Sequence, residues 1–372
     1  MFFQEEMLFM TKPTKYSISV IFPCFNVEPF LESIYKDVTN QTITDCVEYI
    51  FVDDGGGESQ ARLLNELADK DSRVKVVHKK NGGLASARNA GIDAASGDWI
   101  IFVDPDDHLK PDHLQILYDA VSNEENNIDV GIGGYTQISE EDGRRAELFY
   151  DMSSLEGKSV VDAATAFRKC PELIFVSAWS KIYRRSFLVE NNLRFDEHLK
   201  FNEDVIFNAA VWRKARNVAF VRDSGYIYIK YYSRGICSTY NSGLKSDNIQ
   251  RINLLLDLQK DLGYTVEENN RFKTSQLWIL AYMLACNPFK AKTPLSFIEG
   301  VRKVKEEIFE DKEIMKAWKC HDRGSDNRIL RLFDHLMSLR SPLVIGLVFK
   351  SIFLLKDNMR GVFSKLKNVA QK

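Results

Sequence analysis

At 372 residues, 45 % apolar and 27 % charged, the chain has the composition of a soluble globular protein and is long enough for one large α/β domain with a smaller partner, or for two domains. A formal net charge of −2 excludes a global attraction to nucleic acid, so any electrostatic specialisation is local. The six cysteines, at 24, 46, 170, 237, 286 and 320, form no Cys-x-x-Cys pair, which argues against a zinc site or a disulfide framework and fits a reducing compartment. Glu5 and Glu6 stand where a secretory signal carries basic residues, and no run reaches the roughly 18 apolar residues that span a bilayer. The expectation is a cytoplasmic protein, with Met10 as an alternative start.

The first 135 residues repeat one pattern, a short apolar run, a polar turn and a segment of helical periodicity. Ser17 to Phe22 reads as a strand, and Pro29 opens a helix through Phe30, Leu31, Ile34, Tyr35 and Val38. Val47 to Val52 is the second strand, followed by Asp53-Asp54-Gly55-Gly56-Gly57 and a helix marked by Leu63, Leu64, Leu67 and Ala68. Val74 to Val77, a helix over Ala85 to Ala95 and Trp99 to Val103 complete the series. Apolar runs without alternation, separated by helices, predict a mostly parallel sheet buried on both faces. Ligands of such sheets bind at the carboxyl ends of the strands, where Asp53, Asp54, Asn81 and Asp104 to Asp107 all fall.

Asp104-Pro105-Asp106-Asp107 is the most informative of these segments. Carboxylates crowded at the end of a buried strand repel one another unless a cation sits among them, and hard oxygen ligands suit Mg or Mn carrying a phosphate. Asp and Pro are also turn formers, so a solvated acidic loop is the competing reading.

From Tyr150 to about Ser238 the pattern is mixed, with strand-like Leu173 to Trp179 and Gly225 to Tyr232 and a helix after Asn202. Beyond Asn248 the chain reads as helical, which suggests a division into residues 1–240 and 241–372 with a soft boundary. From Ile329 onward eight Lys and Arg face two acids, Asp334 and Asp357, a net +6. Lysines mixed with Phe349, Ile352, Phe353, Val362, Phe363 and Leu366 suggest an interfacial helix that contacts anionic lipid, against a helix packed on the protein with a solvated basic face.

Four strings occur in order: Val20-Ile21-Phe22-Pro23-Cys24-Phe25-Asn26, Phe51-Val52-Asp53-Asp54-Gly55, Asn81-Gly82-Gly83-Leu84-Ala85-Ser86-Ala87-Arg88-Asn89-Ala90-Gly91, and Phe102-Val103-Asp104-Pro105-Asp106-Asp107. Together they resemble a family 2 glycosyltransferase of the GT-A fold, inverting and of the bacterial surface-polysaccharide type. The resemblance implies an α/β, Rossmann-like mostly parallel sheet flanked by helices, a UDP-sugar donor, a divalent Mn or Mg, and a glycan or lipid-linked acceptor. The chain departs from the usual pattern at Gly56-Gly57-Glu58, where Ser and Thr commonly follow Asp-Asp-Gly.

Carried over residue by residue, the resemblance puts Pro23, Phe25, Asn26, Asn81 and Gly82 beside the donor and gives Asp54 the uracil N–H. Arg88 would face the nucleotide or its phosphates, Asp104 the ribose or metal, and Asp106 and Asp107 the metal. In Phe201-Asn202-Glu203-Asp204-Val205, Asp204 resembles the catalytic base that takes the acceptor hydroxyl proton, with Glu203 in support. The ordinary readings run alongside: an Asx turn for Asp54, a surface arginine for Arg88, and a helix start capped by Asn202 with Glu203 and Asp204 complementing its dipole. Lys230 and Arg234 match loosely a basic loop over the diphosphate, and Trp179 suits either stacking on an acceptor sugar or core packing. A nucleotidyltransferase acting on sugar phosphates lacks its Gly-rich basic loop here, and a dinucleotide oxidoreductase lacks Gly-x-Gly-x-x-Gly. A non-catalytic glycan- or nucleotide-binding scaffold keeps the fold without the metal dependence.

Overall fold

Seven elements alternate from the start: β1 (Ile18–Cys24), α1 (Glu28–Thr39), β2 (Val47–Asp53), α2 (Glu58–Lys70), β3 (Val74–His78), α3 (Leu84–Ala94) and β4 (Trp99–Phe102). This is the computed structural model of the chain, which describes residues 16–140, 143–148, 160–169, 177–199, 202–231, 239–290, 293–321 and 328–354. Every residue of β1 and β2 is buried, as runs without alternation require when helices cover both faces of a sheet. β1 lies between β2 and β4, parallel to both, and β2 continues parallel to β3. Pro29 sits in the first turn of α1, which buries Leu31, Ile34 and Val38 at helical spacing. Gly91 lets α3 approach the sheet closely, since a Cβ there would stand 2.3 Å from Ile21 Cγ2.

The first of two compact units, Met1–Lys230, continues with β5 (His108–Leu109), α4 (His113–Val121), β6 (Val130–Ser139), β7 (Arg145–Leu148), β8 (Val160–Asp162), α5 (Ala163–Lys169), β9 (Lys181–Arg184), α6 (Arg185–Glu190), α7 (Glu203–Lys214) and β10 (Asn217–Lys230). Strand order along the sheet is β3-β2-β1-β4-β9-β6-β10-β5. β9 runs antiparallel to β4 and β6, and β6 and β10 are parallel, so the sheet is mixed beyond its parallel first half. Phe102 meets Tyr183, Phe195 and Phe207 edge to face, and Phe195 stacks on Phe207 at 4.0 Å, an aromatic cluster that fastens the end of β4 to β9 and α7.

Of the strand-like run Leu173 to Trp179, residues 173–176 lie outside the described residues; Trp179 forms an isolated bridge to Phe102, and β9 begins at Lys181. Two sequence expectations change here. β10 runs for 14 residues rather than from Gly225, with a register shift between Val221 and Tyr226 that had masked its first half. Asn202 does not cap α7 through its side chain; its backbone is left-handed at φ 60°, and the chain enters the helix through that turn.

The described residues of the second unit, Tyr231–Lys372, are mostly helical: α8 (Leu244–Asp261), α9 (Val266–Cys286), α10 (Phe297–Val304), α11 (Lys312–Cys320), α12 (Arg328–Ser338) and α13 over 342–354. Reciprocal capping boxes start α9 (Thr265 with Glu268) and α10 (Ser296 with Glu299). Leu280, Leu284, Ile308, Ile314 and Met337 fill its own core. Among the described residues no helix is long and apolar enough to cross a membrane.

Candidate active site

At the carboxyl end of β2, Asp54 is buried and its carboxylate holds the following loop: Gly82 N–H donates to Oδ1 at 2.9 Å, Gly83 N–H to Oδ2 at 2.8 Å, and Lys79 Nζ to Oδ1 at 2.6 Å. Asn81 Nδ2 closes the loop on the Asp54 carbonyl at 2.9 Å. A carboxylate offers about four lone pairs, so this geometry makes Asp54 first the organiser of the Asn81–Gly83 loop. The Asx turn belongs to its neighbour: Asp53 Oδ1 accepts Gly56 N–H at 3.1 Å and Gln60 Nε2 at 2.6 Å, while His78 Nδ1 lies 2.8 Å from Oδ2.

Gln60 also accepts Val27 N–H and donates to the Cys24 carbonyl, tying the turns after β1 and β2 together. The unusual Gly56 follows from this: a Cβ there would come within 2.2 Å of the Gln60 amide. Gly56→Ser is therefore expected to destabilise the fold by about 1–3 kcal/mol in urea unfolding, and an unchanged midpoint would remove this account. Gln60 escaped notice in the sequence, although a polar residue at i, with Leu64 and Leu67 at i+4 and i+7 on the buried stripe, was a signal.

Pro23 is buried within β1, while beyond the strand Phe25 is exposed and Asn26 takes φ 56°, so the side chains of Phe25 and Asn26 border the open end of the sheet. After β4 the aspartates divide. Asp107 is buried with Oδ2 accepting Tyr226 Oη–H at 2.7 Å and Oδ1 accepting Ile229 N–H at 2.8 Å, so both oxygens hold β10 in place. Burial, reinforced by Asp104, holds its carboxyl well above the ordinary range. Asp106 is pushed up to about 6 by burial and by Asp104 beside it, the condition a bound cation relieves. His108 turns to Asp37 at 2.8 Å, and this hydrogen bond raises its pKa.

Arg88, on α3 and 3 % exposed, joins the two halves of the site. Nη2 donates to Asp104 Oδ1 at 3.0 Å and Nη1 to Glu203 Oε1 at 3.1 Å, with the guanidinium 5.2 Å above the Phe195 ring. One fully desolvated cation thus links the aspartate loop after β4 to the first residue of α7, 99 positions apart (203 − 104). Asp204 follows, accepting Val205 N–H at 2.7 Å. Burial, then the neighbouring Glu203, pushes its pKa up to about 7, against the pull of Arg88 and Lys181. Lys181 is buried, donates to the Ser177 carbonyl at 2.6 Å and is lowered to about 7 by desolvation. It was missed because a short strand-like run suggested packing only.

Trp179 is 9 % exposed and stacks on Tyr226 at 4.5 Å and 7°, on Tyr228 at 5.4 Å and 20°, with Tyr135 edge-on at 4.8 Å. It belongs to an aromatic ladder whose half-buried members, Tyr135 and Tyr228, offer more surface to a sugar than Trp179 does. Lys230 ends β10 one residue after the Ile229 amide that holds Asp107, and Arg234 lies outside the described residues.

Asp104 and Asp106 supply hard oxygens from one turn. Among the described residues no three His, Cys, Asp or Glu side chains gather as a cage, so phosphate and water oxygens would complete a shell there. That donor set fits Mg or Mn, which bind nucleotides through one or two carboxylates.

Residues 19–190 match the family model described as glycosyl transferase family 2. The uncharacterized glycosyltransferase EpsJ of Bacillus subtilis is 37 % identical over 216 residues, 57 % of this chain and 60 % of that protein, so the chain spans less than two thirds of its length. The cholesterol galactosyltransferase of Borreliella burgdorferi is 29 % identical over 70 % of this chain and 72 % of its own. A poly(ribitol-phosphate) beta-glucosyltransferase of Bacillus spizizenii is 28 % identical over 57 % of this chain and 32 % of its own. In fold the chain is similar to a crystal structure of S. aureus TarS 1-349 in complex with UDP-GlcNAc, with a TM-score of 0.54 at 20 % identity, covering 91 % of this chain and 92 % of that one. Glu203 and Asp204 lie beyond the matched family segment.

Proposed function

We propose that the chain is an inverting glycosyltransferase that moves a sugar from a UDP-sugar to a glycan or lipid-linked acceptor in cell-surface polysaccharide synthesis, with Mn or Mg bound at Asp104 and Asp106. The observation that supports this reading is the Arg88 bridge, which ties Asp104 of the acidic loop after β4 to Glu203, the residue before Asp204. The acceptor hydroxyl attacks the anomeric carbon, a new glycosidic bond forms as the bond to UDP breaks, and Asp204 takes the hydroxyl proton. A divalent ion, when bound, offsets the charge of the leaving diphosphate. Phe25, Asn26 and the Asn81–Gly82 loop border the nucleotide, with Asp54 holding that loop for the base. Lys230 and Arg234 complement the diphosphate.

The relatives' names support the acceptor class, since one acts on a sterol and another on a polyol phosphate polymer. The UDP-GlcNAc complex of the structural neighbour supports a hexosyl or N-acetylhexosaminyl donor. The reading includes a cytoplasmic protein in peripheral contact with anionic membrane through its basic tail. Incubation of the purified chain with a panel of UDP-sugars and Mn or Mg is expected to release UDP slowly even to water. Asp106→Asn is expected to lose metal-dependent UDP binding in calorimetry by at least about tenfold. No UDP binding and no release with any donor would refute the assignment, and metal-independent UDP binding without turnover would favour a scaffold.

A further inference from the structure

Helix α13 is apolar on nearly every side: within 342–354 only Lys350 is charged. Ile345 and Phe349 point into the helical core, while Leu343, Leu347 and Leu354 are 51 %, 52 % and 51 % exposed, in one stripe with Ser351. Leu332 of α12 and Leu339 after it add 47 % and 51 %, so five of the ten large exposed hydrophobics among the described residues fall within 332–354. A helix face in water carries polar side chains, and a leucine stripe with apolar surroundings marks a contact surface. Beside it opens a cavity of about 200 Å³, lined by Leu332, Phe333, Val348, Phe349, Ile352 and Phe353 among others.

Charge selects the occupant. Arg331, Arg340 and Lys350 accompany the stripe, and residues 355–372 carry five Lys and Arg against the single Asp357. A second copy docked on the same face would set these cations against their own counterparts. An anionic bilayer satisfies both the leucines and the cations. Lys350 and Lys356 interrupt the apolar run, which suits a helix lying in the interface rather than across the bilayer.

We propose that the outer face of α12 and α13 docks on anionic membrane, with Leu343, Leu347 and Leu354 among the acyl chains and the cavity taking the end of one chain. This deepens the peripheral-contact reading above, which rests on the basic tail, by assigning the insertion to folded helices. The test is co-sedimentation of the full chain with vesicles of phosphatidylcholine alone or with about one third phosphatidylglycerol. Wild type is expected to bind only the anionic vesicles. Leu343→Ser/Leu347→Ser, with unchanged circular dichroism and melting, is expected to bind at least about tenfold more weakly.

Trp278 stacks on the cavity residue Phe333 at 4.8 Å, so vesicles with brominated acyl chains should quench its fluorescence, and Trp278→Phe should remove that quenching. Full binding by the leucine variant overturns the proposal, and if Lys365→Glu/Lys367→Glu alone weakens binding, the tail reading stands without it. No binding by wild type overturns both. A wild-type dimer that the leucine variant converts to monomer overturns it in favour of a second copy, and absent quenching removes the acyl-chain seat.

Discussion

Arg88→Met is expected to lower the unfolding free energy of the chain by about 3–5 kcal/mol and to abolish transfer. The guanidinium is buried between Asp104 and Glu203, at 3.0 and 3.1 Å, and its removal leaves two partly buried carboxylates without their shared cation. Arg88→Lys separates the two consequences. An ammonium keeps the charge, so much of the stability returns, but it cannot donate along two fixed directions as the planar fork does. The aspartate loop and the start of α7 would then lose register, and transfer is expected to stay at least about a hundredfold down, because displacement of reacting groups by about an ångström has that scale of cost. Urea unfolding and UDP-sugar turnover on both variants check this. Near-wild-type turnover in Arg88→Lys would mean that charge alone is required at this position.

The parallel half of the sheet and its helices were legible in the sequence because each strand is buried on both faces, so Val20 to Phe22 and Tyr49 to Val52 are apolar without interruption. The mixed half was not, since β9 has four residues and β10 is broken by a register shift. The four strings placed Asp54, Arg88 and the aspartate cluster correctly at one sheet edge, because strand ends are where a parallel sheet gathers its loops. Motifs do not show which carboxylates are already engaged. Asp107 reads like Asp106 in the sequence, yet Tyr226, 119 residues later, holds it in the fold. Partners so distant leave no local periodicity.

Asp204→Asn is expected to reduce transfer by about 10²–10⁴-fold while leaving UDP binding within about twofold, and to make the protein more stable above neutral pH. Both effects follow from one environment. Burial and Glu203 hold the Asp204 carboxyl near 7, against an ordinary value of about 3.9 in the unfolded chain. Between those values the folded state keeps a proton that the unfolded state has released, so the folded state binds more protons and stability falls as pH rises across that window. Above about 7 the ionised carboxylate costs stability, and the neutral amide removes that cost. A base must be ionised to accept the acceptor proton, so wild-type kcat/KM is expected to rise with pH through a midpoint of about 7. Glu203→Gln removes the like charge and should move that limb to lower pH, whereas Lys181→Met removes a cation and should move it higher. Because Lys181 itself is lowered to about 7, the two groups titrate as a pair, and the Lys181 displacement should be the smaller one. A pH profile unmoved by either substitution, or full turnover by Asp204→Asn, would transfer the role of base to another residue.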